Sequence, residues 1–291
     1  MKTNKVMKSI FNLNMYIMFC LLLTPFVSSN AQNLNNIHSV IQDSSSQCNI
    51  QIAKWKHNKT AAYSLNLDDF GASHFGDIET IANILDSTNI NISFATIANS
   101  STSKMEQANG CLLGNEFVNH SWSHPDRNSL TTSMFAQEVD SSQAKLERLI
   151  HNNAPLFYIF PNDTRFVFGF INYISDHKYI GANGGITIVG STMSEKVNHY
   201  NLTDPFSVKT IYYTDEGINE FQSLVDTAIL TGNWGFNAAH NVGTGGFMPI
   251  PVEDFRAHMN YCKQKVDDGE LWVAPVIQVL KYIMERRYFT V

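Results

Sequence analysis

The stretch Ala61-Ala62-Tyr63-Ser64-Leu65-Asn66-Leu67-Asp68-Asp69 decides how the rest of the chain is read. Its first seven residues form a short, mostly apolar run that suits a buried strand, and two carboxylates end it. Ile78, Ile81, Ala82 and Leu85 follow at helical spacing, so the unit is strand then helix. The alternation recurs, with further strands expected at residues 90–97, 116–119, 156–160, 210–213, 234–239 and 271–274. Phe135, Val139, Leu146 and Leu149 mark a helix ending near His151, and Ile218, Phe221, Val225 and Ile229 share one face of another. Phe255, Met259 and Cys262 form the buried stripe of a helix. Pro251 is expected just inside its start, where a missing N–H costs nothing, and Glu253 and Asp254 suit its positive end. Val276, Leu280 and Ile283 supply a last amphipathic helix. This order predicts an α/β fold with a parallel sheet, closed or nearly closed into a barrel, with a doubly wound open sheet as the alternative.

Composition sets the class. The 291 residues are 44% hydrophobic and 16% charged, enough apolar material for a full core. A formal net charge of −6, with no basic cluster beyond the first eight residues, argues against nucleic acid as a partner. Lys2, Lys5 and Lys8, an apolar run from Met15 to Leu23, and Ser29-Asn30-Ala31 read as an export signal, residues 1–31. Spanning a bilayer needs about 20 apolar residues, so no stable membrane span is expected after cleavage, although an uncleaved anchor stays open. The destination is outside the cytoplasm: secreted, periplasmic or cell envelope. A bulky Phe19 precedes Cys20, where a lipid-attachment site wants a small residue. Residues 32–54, rich in Asn, Gln and Ser with only scattered apolar positions, are expected to be a flexible lead-in, and residues 55–291 the folded domain. Of the four cysteines, Cys20 leaves with the leader, and the remaining Cys48, Cys111 and Cys262 are an odd number without a CxxC, so neither a zinc ribbon nor a disulfide framework is signalled.

In parallel α/β folds the chemistry gathers where strands end. Asp68 and Asp69 end the first strand there, though such a pair can also be a turn or a helix cap. His120-Ser121-Trp122-Ser123-His124 follows the strand 116–119. Extended, its imidazoles would stand about 13 Å apart, whereas one helical turn brings such positions to about 6 Å. Sharing an ion therefore requires a turn at His120; otherwise the two are strand-end or surface histidines. Together with Asp69 they make a three-ligand set that leaves positions open for water and substrate. His240 ends the strand 234–239 beside Gly243-Thr244-Gly245-Gly246, a loop without the lysine and spacing of a phosphate loop. It is a candidate general acid across the mouth from Asp68.

These motifs, in their order and spacing and together with Phe160-Pro161, resemble the polysaccharide deacetylase family, carbohydrate esterase family four. The resemblance runs over roughly residues 55–287. It implies an irregular (β/α) barrel and one divalent metal, Zn²⁺ first with Co²⁺ or Ni²⁺ also admitted. It further implies removal of acetyl groups from a glycan such as chitin, peptidoglycan or xylan. It makes Asp68 the catalytic base, Asp69, His120 and His124 the metal ligands, and His240 the catalytic acid. Pro161 and Asn162 fall where the family places its oxyanion donor, with Asn162 standing for the usual tyrosine and keeping only the backbone N–H. Two further departures are plain. Phe157-Tyr158-Ile159-Phe160 holds no arginine to pair with the base, Arg165 lying a few residues on, and Ala238 replaces a leucine of the acetyl pocket. An Asp/Trp motif usual before the last histidine is not evident.

Two other readings compete. A catalytically weak or inactive carbohydrate-binding homologue would keep the barrel without turnover. A barrel glycosidase would need two carboxylates, for which Glu116 and Asp126 are available, and no metal. If the leader is cleaved, the mature chain begins at Gln32. Intact-mass measurement on protein from its own cell envelope checks this, and a retained Met1 would mean an anchor.

Overall fold

The opening strand runs further than its apolar run. β1 (Ala61–Phe70) is ten residues long and buried throughout, so Asp68 and Asp69 lie inside it and do not end it. The computed structural model describes residues 52–150, 154–187, 190–214 and 217–289, all within the unit Gln51–Val291. Residues 1–31, Gln32 and Cys48 lie outside the described residues. After β1 come α1 (Ile78–Thr88), β2 (Ser93–Thr96), α2 (Thr102–Cys111), β3 (Glu116–Asn119), α3 (Thr132–Leu149), β4 (Phe157–Tyr158), α4 (Phe170–Ser175) and β5 (Gly181–Ala182). Then follow α5 (Met193–Lys196), β6 (Ile211–Tyr212), α6 (Ile218–Thr231), β7 (Trp234–Ala239), α7 (Val252–Asp267), β8 (Leu271–Val273) and α8 (Val276–Tyr288). Pro251 caps α7 from outside its first residue.

The strands are parallel in the order β5-β4-β3-β2-β1-β7-β6, with β8 pairing the start of β1. Because strand side chains alternate between faces, β1 serves two cores. Tyr63, Leu65 and Leu67 pack outward with residues of α1, α6 and α7. Ala62 faces inward, where Val118, Phe157, Ile159, Trp234 and Phe236 meet Val276, Val279, Leu280 and Ile283 of α8. Even-numbered positions of β1 before Asp69 thus look into the barrel, and Asp68 is one of them, whereas Phe70 packs outward with Leu65 and Leu67.

The curved sheet is an irregular barrel, and glycines narrow its gap. Residues 205–208 run along β5, with Ala182 N–H donating to Pro205 O at 3.0 Å and Val208 N–H to Ala182 O at 3.2 Å. A Cβ on Gly181, Gly184 or Gly185 would stand 2.6, 2.3 or 2.4 Å from the carbonyl oxygens of Pro205, Phe206 and Ser207. Only glycine permits that approach. At the other margin, Ala53 O accepts from the Tyr282 hydroxyl at 2.8 Å and Lys54 O from Arg286, which fastens the residues before β1 to α8. No helix among the described residues is long and apolar enough to cross a membrane.

Glu116 opens β3 at the end away from the mouth, about 13 Å of strand from His120. Its Oε2 accepts the Ile277 N–H at 3.0 Å, at the start of α8. Asp126 instead accepts the Asn128 N–H at 2.8 Å in an exposed turn. The pair available to a glycosidase is therefore split between two structural roles, and that reading falls.

Burial pushes Glu116 up to about 7, against smaller opposing effects of the Ile277 N–H, Lys281 and Gln278. The folded chain then holds a proton that the unfolded chain has released between pH 4.5 and 7. Stability due to this group is therefore present below that window and lost as pH rises through it, by roughly 3 kcal/mol. Denaturant unfolding at pH 5 and pH 8 should show most of that loss in the wild type and a flatter profile in Glu116→Gln. Equal pH dependence in the two would refute it.

Candidate functional site

The mouth of the barrel is built where β1 breaks its own regularity. The β1–β2 register shifts between Leu67 and Phe70, and Asp69 has φ of 63°, the left-handed region that a non-glycine residue seldom occupies. That bulge lets two consecutive carboxylates serve the mouth, where regular alternation would turn one away. Asp68, 2% exposed, accepts hydrogen bonds from the Asn66 amide and the Tyr212 hydroxyl. Burial raises its pKa despite the opposing charges of His120 and His240.

The loop after β3 turns by the same device. Ser121 has φ of 70° and His124 of 58°. The Asn119 side chain accepts the Ser121 N–H, and the Ser121 hydroxyl accepts the His124 N–H at 2.9 Å. The imidazoles of His120 and His124 end with ring centroids 4.9 Å apart. Asp69 Oδ1 lies 3.6 Å from His120 Nε2 and 3.3 Å from His124 Nε2. One ligand atom from each of the three residues falls within 4.8 Å of the others.

These residues fit a metal ion. Asp69 Oδ1 is buried without a hydrogen-bond partner, a costly state for a carboxylate oxygen. Tetrahedral bonds of about 2.1 Å would separate neighbouring ligand atoms by about 3.4 Å, close to the 3.6 and 3.3 Å from Asp69 Oδ1 to the two imidazole nitrogens. His120 Nδ1 lies 2.9 Å from Ile159 O, and a carbonyl only accepts, so Nδ1 carries the hydrogen and Nε2 presents its lone pair. The Asn162 amide sits 3.2 Å from His124 Nδ1 and donates to Pro125 O at 3.1 Å, so its side chain braces this loop. Pro161 opens the short 3₁₀ turn Pro161–Phe166 that carries it.

Electrostatics follow the crowding. Burial favours neutral Asp69, but the adjoining His120, then His124 and His240, hold it well below the carboxylate range. Burial lowers His124 to about 4, helped by the charge of His120. His120 moves up, because Asp68 and Asp69 outweigh its burial.

His240, just past β7, stacks on Tyr212 at 5.7 Å between centroids and meets Phe247 edge-on at 5.1 Å. Its charge bears on Asp68, Asp69 and His124. Its Nδ1 is buried and has no hydrogen-bond partner among the described residues. Arg165 donates to Asn183 O at 3.3 Å.

Several further residues shape the mouth. His74 Nε2 lies 3.4 Å from Asp69 Oδ2, the carboxylate oxygen turned away from the two other histidines. A Cβ on Gly246 (φ 78°) would stand 2.9 Å from the His74 ring, which explains one member of the glycine loop. Asn241 ties that loop down, donating to His74 O, Thr244 O and Gly245 O and accepting from Gly76 and Val242 N–H. Asn66 was legible two residues before Asp68 on the same strand face. Nothing local marked His74, Tyr212 or Asn241.

Residues 58–165 match the polysaccharide deacetylase family. Among solved structures, the chain is similar to a candidate polysaccharide deacetylase from Mycobacterium smegmatis, with 12% identity, 80% of this chain and 93% of that one covered, and a TM-score of 0.54. A carbohydrate esterase family four pseudoenzyme from Bacillus anthracis matches with 13% identity, 77% and 66% coverage, and a TM-score of 0.50. The peptidoglycan deacetylase PdaC from Bacillus subtilis matches with 16% identity, 78% and 93% coverage, and a TM-score of 0.48. No curated protein matches the sequence. Motifs in order, the match over residues 58–165 and the shared barrel together show the resemblance of this chain to the polysaccharide deacetylases of carbohydrate esterase family four.

Proposed function

We propose that this protein is a metal-dependent hydrolase that removes acetyl groups from a carbohydrate polymer or oligomer. The substrate class is a glycan containing N-acetylglucosamine, such as chitin or peptidoglycan, or acetylated xylan. One observation carries the reading: the unpartnered Asp69 Oδ1 faces two imidazole nitrogens, directly beside a second buried carboxylate. A turn or cap would not bury both acids.

Asp69, His120 and His124 would hold the ion, which when bound supplies Lewis acidity to the acetyl carbonyl and to water. The ligand set suits Zn²⁺ and admits Co²⁺ or Ni²⁺. Asp68 takes the proton of the water whose oxygen adds to the acetyl carbon. The Asn162 N–H faces the developing oxyanion, a donor worth about 3 kcal/mol. His240, as imidazolium, protonates the leaving amine or alcohol as its bond to the acetyl carbon breaks and acetate departs. Residues 55–291 form the working domain, behind a cleaved leader of 1–31 and a lead-in of 32–54, and the protein acts outside the cytoplasm.

A binding homologue without turnover is the second reading. It is favoured by the arginine-free stretch Phe157–Phe160 and by His240 Nδ1, which lacks a partner among the described residues. Acetate release from chitin oligomers, peptidoglycan and acetylated xylan, with and without added metal, separates the two. Binding without acetate would leave the homologue.

Protein purified without chelator should carry one divalent ion per chain, and His124→Ala should lose most of it. Elemental analysis checks this, and equal metal in both proteins would remove the site.

The adjacent acids should separate by kinetics. Asp69→Asn should weaken metal affinity, whereas Asp68→Asn should keep metal and lose about 10²–10⁴-fold in kcat. Metal titration and turnover at saturating metal read both; an Asp68→Asn enzyme with normal turnover would end the assignment of the base.

A further inference from the structure

The base proposed above is a carboxylate held at 2% exposure beside a second carboxylate, with no arginine in the stretch where relatives carry one. Something else has to fix its position. The groups that bear on it from neighbouring strands are His120, His240 and the hydroxyl of Tyr212.

The direction of each hydrogen bond around Tyr212 follows from one fixed donor. The Phe160 backbone N–H donates to Asn183 Oδ1 at 2.8 Å, which settles which end of the buried Asn183 amide is oxygen. Asn183 Nδ2 therefore donates to the Tyr212 hydroxyl oxygen, 3.3 Å away. Since an ionised carboxylate only accepts, the Tyr212 O–H points onward to Asp68. The same ring stacks on His240, with centroids 5.7 Å apart and planes 30° off parallel. The β6–β7 register sets Tyr212 opposite Ala238, whose single methyl on the inner face leaves room for the ring.

From this geometry we propose that Tyr212 is the positioning residue of the active centre. Its hydroxyl, oriented by Asn183, aims the Asp68 carboxylate into the mouth, while its ring fixes the plane of His240. A neutral donor on β6 thus shares the orienting of Asp68 with the Asn66 amide on β1, and one side chain keeps the proposed base and acid in register. The inference rests on the reading of Asp68 as base and His240 as acid.

Tyr212→Phe is the test, because it removes the O–H and leaves the ring on His240. Turnover on the best acetylated oligomer of the panel should show kcat lower by about tenfold or more, with KM and bound metal unchanged. Crystal structures of wild type and variant should show the Asp68 carboxylate rotated away from its wild-type position only in the variant. Tyr212→Leu, which also removes the ring, should lose more kcat than Tyr212→Phe. Unchanged kcat with an unmoved Asp68 overturns the proposal, and so does a loss confined to KM or to metal content. If the wild type itself releases no acetate, the deacetylase reading fails on its own terms. The position of Asp68 in the two structures then still decides whether Tyr212 orients it.

Discussion

Two carboxylates placed side by side in a strand buried along its whole length are the constraint to which the surrounding structure answers. Removing one such group from water costs several kcal/mol unless charge or hydrogen bonds replace the lost hydration. Asp68 is answered by the Asn66 amide and the Tyr212 hydroxyl, and Asp69 Oδ2 by His74. The one oxygen left unanswered, Asp69 Oδ1, is the one that faces both His120 and His124.

Meeting that constraint strains the backbone in a few places. Asp69, Ser121, His124 and Asn162 all have positive φ, and they cluster around the same mouth. Each such residue costs on the order of 1–3 kcal/mol and persists only where its surroundings hold it. The holders are visible. Asn119 grips the Ser121 N–H and is itself held by Ser142 on α3 and Tyr179, while Asn162 braces His124. The rigid parallel sheet carries the strain and the loops express it.

Asparagine recurs in this network for a chemical reason: its amide donates and accepts at once, so a single buried side chain can join two strands or two loops. Asn183 joins β5 to Phe160 and Tyr212, and Asn241 joins the loop after β1 to the glycine loop after β7. Such uncharged links fasten the mouth without adding further charge to a site already crowded with it.

Sequence alone determined the strand-and-helix alternation and which residues deserved attention. The run 61–67, the strand 116–119 and the strand 234–239 are legible because burial on both faces favours a mostly apolar stretch, even with Ser64, Asn66, Glu116, Asn119 and Asn237 set into it. Helix α2 escaped notice because only Met105 and Ala108 of its ten residues are buried, so it carries no stripe. Strand β5 escaped because Gly181–Ala182 has no pattern to read. Asp68, Asp69, His120, His124 and His240 could be named as candidates from type and spacing, since few roles suit paired acids and spaced histidines at strand ends. Tertiary structure alone decided the bulge that turns Asp69, the approach of His74 from an unremarked loop, and the meeting of Tyr212 with both Asp68 and His240. The last depends on which strands become neighbours and in what register, and a contact made across some 140 residues of chain leaves no local signal; the first two depend on how β1 bends and on how the loop after it folds back.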